Sequence, residues 1–196
     1  MNIAILILAA GSSTRMNSAK QLLPVGNTTL LGIVIENALQ SDANKVYCVL
    51  GANLKAIEKS ISKYSIETIF NPEYKSGLSS SIVTGIQHIS NQKLDAIILL
   101  LGDQPFIKTQ YINSMITSYK NHYGKIVAST YTKTYGVPAI IPKNHFDKLL
   151  MLKGDKGAKA FLNSNEQDVI PLDDANLVDI DTIEDYEELL NSKKTQ

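Results

Sequence analysis

Two cations, three carboxylates and a run of serines carry the chemistry open to this chain. Arg15 and Lys20 stand five residues apart in a polar stretch that starts at Gly11 and includes Ser12, Ser13 and Thr14. Such a pair can meet an anion with several oxygens, and Gly11 removes a Cβ where backbone must come close to a ligand. Asp103 lies in Leu99-Leu-Leu-Gly-Asp-Gln-Pro-Phe106, just past an apolar run. Asp179 and Asp181 alternate within Leu177-Val-Asp-Ile-Asp-Thr-Ile-Glu-Asp-Tyr186, so they share one face of an extended segment. Gly77, Ser79, Ser80 and Ser81 close a gap before a helix, where hydroxyls and free amides suit ribose or phosphate oxygens. Each carboxylate and serine group also fits helix capping: Asp103 two residues before Pro105, a serine at the start of the Leu78, Ile82 and Ile86 stripe, Thr182 ahead of Glu184 and Asp185. From position alone, Asp103 divides evenly between cap and metal ligand.

The elements that position these groups read from hydrophobic pattern. Ile3 to Ala10 is an unbroken apolar run, which predicts a strand buried on both faces of a parallel sheet. It delivers the dibasic loop to the sheet's carboxyl edge, where open α/β sheets bind nucleotides. The Walker loop is excluded because Lys20 sits between Ala19 and Gln21, and the dinucleotide fingerprint because the loop has one glycine. Thr28 or Thr29 caps a helix with the stripe Leu30, Leu31, Val34, Ile35 and Ala38. Strands follow at Val46 to Leu50 and Ile66 to Phe70, with a helix between them at Leu54 to Ile61. A helix begins at Leu78, and Ala96 to Leu101 is a further buried strand. Ile107 to Tyr119 gives a helix, and Ile126 to Thr130 and Pro138 to Ile141 give strands joined by polar residues. Helices are expected near Asn144 to Met151, Gly157 to Leu162 and Thr182 to Leu190. The alternation implies an α/β fold with a mostly parallel sheet, helices on both faces, and one domain over residues 1–196.

Bulk properties narrow the partners. Nineteen basic and nineteen acidic residues cancel, which leaves no global field for nucleic acid or an anionic membrane. No apolar run reaches membrane-spanning length, and Ile3 to Ala10 lacks the basic flank of a signal peptide, so a cytoplasmic location is expected. Cys48 is read as a buried thiol, and His88, His122 and His145 as surface or helix residues.

The pattern Leu-Ala-Ala-Gly-x-Ser-x-Arg-Met-x-x-x-Lys, Leu8 to Lys20, closely resembles the signature loop of the MobA/MocA-like nucleotidyltransferases with a glycosyltransferase-A-like fold. Gln21-Leu-Leu-Pro-Val25 resembles their molybdenum cofactor cytidylyltransferase branch. Asn17 replaces the family's Gly, and Asn is well suited to positive φ. Leu-Gly-Asp-Gln-Pro and Asp-Ile-Asp-Thr-x-Glu-Asp match the family's metal motifs, which makes Asp103 and Asp181 the Mg²⁺ ligands. The resemblance implies a three-layer nucleotide-diphospho-sugar-transferase fold, with nucleotide contacts from Leu8, Ala9, Ala10, Gly11, Ser12, Arg15, Lys20, Gly77, Leu78, Ser79 and Gly102. Arg15, Lys20 and Asp103 take the catalytic roles. It implies transfer of a nucleotidyl group, CMP from CTP, to a molybdopterin-type phosphate acceptor with release of pyrophosphate, and contact with a molybdoenzyme or its chaperone. Ala10 points to CTP because the guanylyltransferases usually read Leu-Ala-Gly-Gly there. Tyr135-Gly-Val-Pro-Ala139 and Lys153 to Lys159 look like the acceptor-facing segments. Val137 stands where many relatives have His, and Lys159 where they often have Arg. The alternatives are a GTP-using guanylyltransferase, transfer to another small phosphate acceptor, and a non-catalytic nucleotide sensor. As a residue of an exposed loop, Lys20 is expected to contribute little to stability.

Overall fold

A computed structural model describes residues 1–13, 16, 19–173 and 175–194. Strand β1 (Ile3–Ala9) is buried along its whole length and is the third strand of a seven-stranded sheet. It pairs in parallel with β4 (Lys45–Leu50) and β6 (Ala96–Leu101), so the carboxyl ends of three apolar strands converge at one edge. The order is β5-β4-β1-β6-β8-β7-β9, with β5 at Glu67–Phe70, β7 at Ile126–Tyr131, β8 at Thr134–Pro142 and β9 at Val169–Leu172. Only β8 runs against its neighbours β6 and β7 among these strands. That reversal follows from the two-residue turn after Tyr131, too short for the crossover that a parallel neighbour requires.

Alternation along β1 splits the core into two layers. Ile3, Ile5, Ile7 and Ala9 face α1 (Leu30–Leu39), α2 (Leu54–Ile61) and α4 (Thr109–Asn121). Ala4, Leu6, Leu8 and Ala10 face α3 (Leu78–Ile89), α5 (Phe146–Leu150) and α6 (Lys159–Ser164). The result is the expected three-layer α/β/α sandwich. Helix α1 starts where its cap dictates, with the Thr29 hydroxyl accepting from the Gly32 amide, and every position of the predicted stripe is buried. A small third cluster joins Val25, Leu30, Ile33, Ile180 and Leu189 of α7 (Ile183–Lys194), tying the chain's end to its beginning.

Several elements differ from the sequence reading. The hairpin β2 (Pro24–Val25) and β3 (Thr28–Thr29) and strand β9 were not expected, and β8 begins four residues earlier than predicted. For His145, read as a surface or helix residue, the helix alternative holds: it ends the short helix Lys143–His145, is 6% exposed and packs edge-on against Phe161. Burial, reinforced by the nearby Lys148 charge, holds its imidazole below the usual value of 6.5. A lowered folded pKa means the unfolded chain takes up the proton first, so stability present above pH 6.5 falls as acid is added. The melting-temperature advantage of the unaltered protein over His145→Gln should therefore shrink between about pH 7.5 and about pH 5.5. A constant difference would remove His145 from the acid response.

Candidate active site

The carboxyl edge of β1 opens onto a cavity of about 610 Å³. Leu8, Ala9, Ala10, Gly11, Ser12 and Lys20 line one side, Gly77 and Leu78 another, and Gly102, Asp103 and Asp181 the far wall. These eleven residues, all singled out from sequence, meet in one space. Arg15, like Asn17, lies outside the described residues. A Cβ built on Gly11 would meet nothing within 4 Å, so the loop presents bare backbone to open space.

Buried Gln21 shapes that loop. Its Nε2 donates to the Ala9 carbonyl at 3.1 Å and the Gly11 carbonyl at 2.8 Å, bridging the strand end and the turn. Ser13, at φ 55°, donates its hydroxyl to Gln21 and receives the Lys20 amide. This role was missed; the available signal was a lone amide between Lys20 and the apolar pair Leu22 and Leu23. Gln21→Ala strands two carbonyls and should cost about 1–3 kcal/mol in thermal unfolding. It should also raise the KM for nucleotide more than it lowers kcat, which a steady-state titration checks.

Asp181 comes from the opposite end of the chain. Ile180 is fully buried in the third cluster, and its amide donates to the Asp103 carbonyl at 3.0 Å. Anchoring Ile180 inward leaves Asp181 facing the cavity, which it lines. Thr182 and Asp185 then form a reciprocal cap: the Asp185 carboxylate accepts from the Asp181 and Thr182 amides, and its own amide donates to Thr182. Capping therefore explains Asp185 and leaves Asp181 to the cavity.

Asp103 does not cap a helix, since α4 begins six residues later with Lys108 as its N-cap. The Lys20 ammonium bridges the two carboxylates, 2.6 Å from Asp103 Oδ2 and 2.7 Å from Asp181 Oδ1. Burial works against that charge, but the Asp103 carboxylate and hydrogen bonds to both acids outweigh it and hold the amine above its ordinary range. The Lys20 side chain is only 14% exposed, which corrects the expectation of an exposed lysine. Asp103 Oδ1 is buried without a hydrogen-bond partner among the described residues. An orphaned anionic oxygen beside a second carboxylate is a hard donor set that fits a divalent cation. Crowding by protein, then the Asp103 charge, pushes the neighbouring Asp179 carboxyl up to about 6, although Asp179 keeps an open flank.

Ser79 requires correction. It is 1% exposed, does not line the cavity, and its amide donates to Gly154 O at 3.1 Å. The Ser80 amide is likewise engaged, by Gly77 O. Gly77 sets this rotation: at φ 97°, a Cβ there would sit 2.2 Å from Asp155 Oδ1. Ser81 lines the cavity instead, and the Asn71 side-chain amide donates to the Ser80 and Ser81 hydroxyls. Tyr74, Lys75 and Asp155 complete this wall. Val137 and Lys159 line a separate, mostly apolar hollow of about 220 Å³ that shares Leu8 and Leu78 with the main cavity.

Comparisons place this arrangement among known proteins. The MobA-like NTP transferase domain matches residues 5–169. The purine catabolism protein PucB of Bacillus subtilis is 25% identical over 92% of both chains. The nicotine blue oxidoreductase of Paenarthrobacter nicotinovorans is 28% identical over 94% of both. The crystal structure of a Mycobacterium sp. strain JC1 homologue of Mycobacterium tuberculosis Rv0371c superposes with a TM-score of 0.87. It is 30% identical and covers 99% of this chain and 98% of that one. The Mycobacterium tuberculosis protein itself, solved in complex with manganese, gives 0.81 at 26% identity over 98% and 100%. Nucleotidyltransferases of the nucleotide-sugar type share the fold alone at lower identity. No helix among the described residues is long and apolar enough to cross a membrane. The chain belongs to the MobA-like NTP transferase family of nucleotidyltransferases.

Proposed function

We propose that the protein transfers CMP from CTP to the phosphate of a small, molybdopterin-type acceptor in a Mg²⁺-dependent reaction that releases pyrophosphate. The observation that carries this reading is the meeting of Asp103 and Asp181 on Lys20 in a cavity that the Gly11 loop also lines. An acceptor phosphate oxygen forms the new bond to the α-phosphorus while the bond to the bridging oxygen breaks, and the electron pair leaves with pyrophosphate. Lys20 supplies positive charge to the triphosphate, and the bare backbone of Gly11 lets it approach closely. Asp103 and Asp181 would hold Mg²⁺, whose bound charge offsets the negative charge building on the leaving group. Manganese in the related mycobacterial structure supports a divalent ion.

Pyrophosphate release with each of the four ribonucleotides, Mg²⁺ and a molybdopterin acceptor tests the whole reading. No release with any nucleotide would favour a non-catalytic sensor. A second reading, transfer to another small phosphate acceptor, draws on the hollow beside the main cavity, where Lys156 and Lys159 stand on mostly apolar walls.

The nucleotide choice rests on Ala10, which lines the cavity yet is 5% exposed and packs in the α3-side core. One methyl group discriminates by about 1–3 kcal/mol, so CTP should be preferred without absolute exclusion of GTP. Ala10→Gly should narrow the gap in kcat/KM by improving GTP. Equal losses for both nucleotides would make the methyl a packing feature.

A further inference from the structure

We infer that the Lys20 ammonium stands in for the divalent cation between Asp103 and Asp181, so that metal enters only as Lys20 leaves and becomes available to the triphosphate. This rests on the proposed function and adds a coupling between its two ligands. The Lys20 ammonium faces both carboxylates, at 2.6 and 2.7 Å. It leaves Asp103 Oδ1 buried and unpartnered among the described residues. A divalent ion takes oxygens that an ammonium does not reach. Both cations cannot occupy the same space between the same oxygens.

The backbone of Lys20 has no need to move in this exchange. Its amide is held by Ser13 Oγ, and the next residue, Gln21, is locked to the carbonyls of Ala9 and Gly11. Only the flexible four-carbon stem swings, and it lines the same cavity that takes the nucleotide. A triphosphate gives the displaced ammonium a new partner. Metal and nucleotide should therefore bind with positive coupling, and the coupling is reciprocal by linkage.

The test is Mn²⁺ binding, followed by electron paramagnetic resonance at matched free Mn²⁺, with and without a non-hydrolysable CTP analogue. Without nucleotide, Lys20→Met should bind Mn²⁺ about tenfold more tightly than the unaltered protein, within the roughly 5–150-fold span of typical site coupling. The analogue should tighten Mn²⁺ binding in the unaltered protein and much less in the variant. Equal Mn²⁺ affinity in the two proteins, abolished in both backgrounds by Asp103→Asn, would overturn the exchange while sparing the metal site. Absence of Mn²⁺ binding in both proteins even with the analogue would instead overturn the metal-dependent reading itself. A second measurement avoids any dependence on the variant's folding. Acylation of Lys20 by a water-soluble reagent, read by peptide mass spectrometry, should accelerate when Mg²⁺ is added to the unaltered protein. An unchanged rate at saturating Mg²⁺ would overturn the proposal.

Discussion

Asp103→Asn is expected to lower kcat on the order of 10²–10³-fold, the loss typical of one preorganised electrostatic group, with little change in melting temperature. Asn keeps the shape of Asp and still offers an oxygen to Lys20, which retains its 2.7 Å contact with Asp181. What disappears is the negative charge and, with it, the orphaned anionic oxygen that suits a metal. The variant should also need much higher Mg²⁺ for half-maximal activity. The structure removes the competing explanation for a stability loss, because α4 is not capped by Asp103. Single-turnover rates across a Mg²⁺ series, set beside thermal melts, separate the outcomes. A large melting-temperature loss with unchanged Mg²⁺ dependence would make Asp103 a structural residue.

Residues at strand ends were legible because apolar runs fix where a strand stops. Asp103 follows Leu101 and Gly102, and Gly11 follows the run that begins at Ile3, so both are forced to the carboxyl edge. Alternation put Asp179 and Asp181 on one face, and only the resemblance to the family's closing motif picked out Asp181, which the structure sets beside the buried Ile180. Ser79 and Ser81 were not separable in the same way. Which serine of a helix's first turn faces a ligand depends on rotation about Gly77 and on the Gly154 carbonyl, contributed by a loop far along the chain. Strand β9 carries Pro171 and, among the described residues, pairs only with β7, so its four residues lack the pattern of an internal strand. The β2–β3 hairpin has two residues per strand, too few for any period to show. The burial of His145, read as a surface or helix residue, was not legible, because its edge-on contact with Phe161 lies outside its own local pattern.

The burial of Lys20 is the least legible of these features and has the largest consequence. Its partners, Asp103 and Asp181, lie in the second half of the chain, and no local property of the loop foretells them. Lys20→Ala should therefore reduce turnover by at least the same order as Asp103→Asn, since it removes charge from the triphosphate side of the reaction. Contrary to the behaviour of an exposed lysine, it should also destabilise the metal-free protein. Without the ammonium, Asp103 and Asp181 are left as neighbouring like charges, one of them with a buried oxygen that no described residue satisfies. The loss should stay below the roughly 3–5 kcal/mol of a fully buried pair. The reason is that Asp181 keeps 42% of its side chain open to water. Mg²⁺ reverses the sign of this comparison: it supplies the missing positive charge to the variant, whereas in the unaltered protein it must displace a lysine. The rise in melting temperature on adding Mg²⁺ without nucleotide should accordingly be larger in Lys20→Ala than in the unaltered protein. Melts of both proteins across a Mg²⁺ series decide the matter. Equal melting temperatures without metal would show that the bridge contributes nothing to the resting fold, and a smaller Mg²⁺ response in the variant would show that the metal does not take the place of the ammonium.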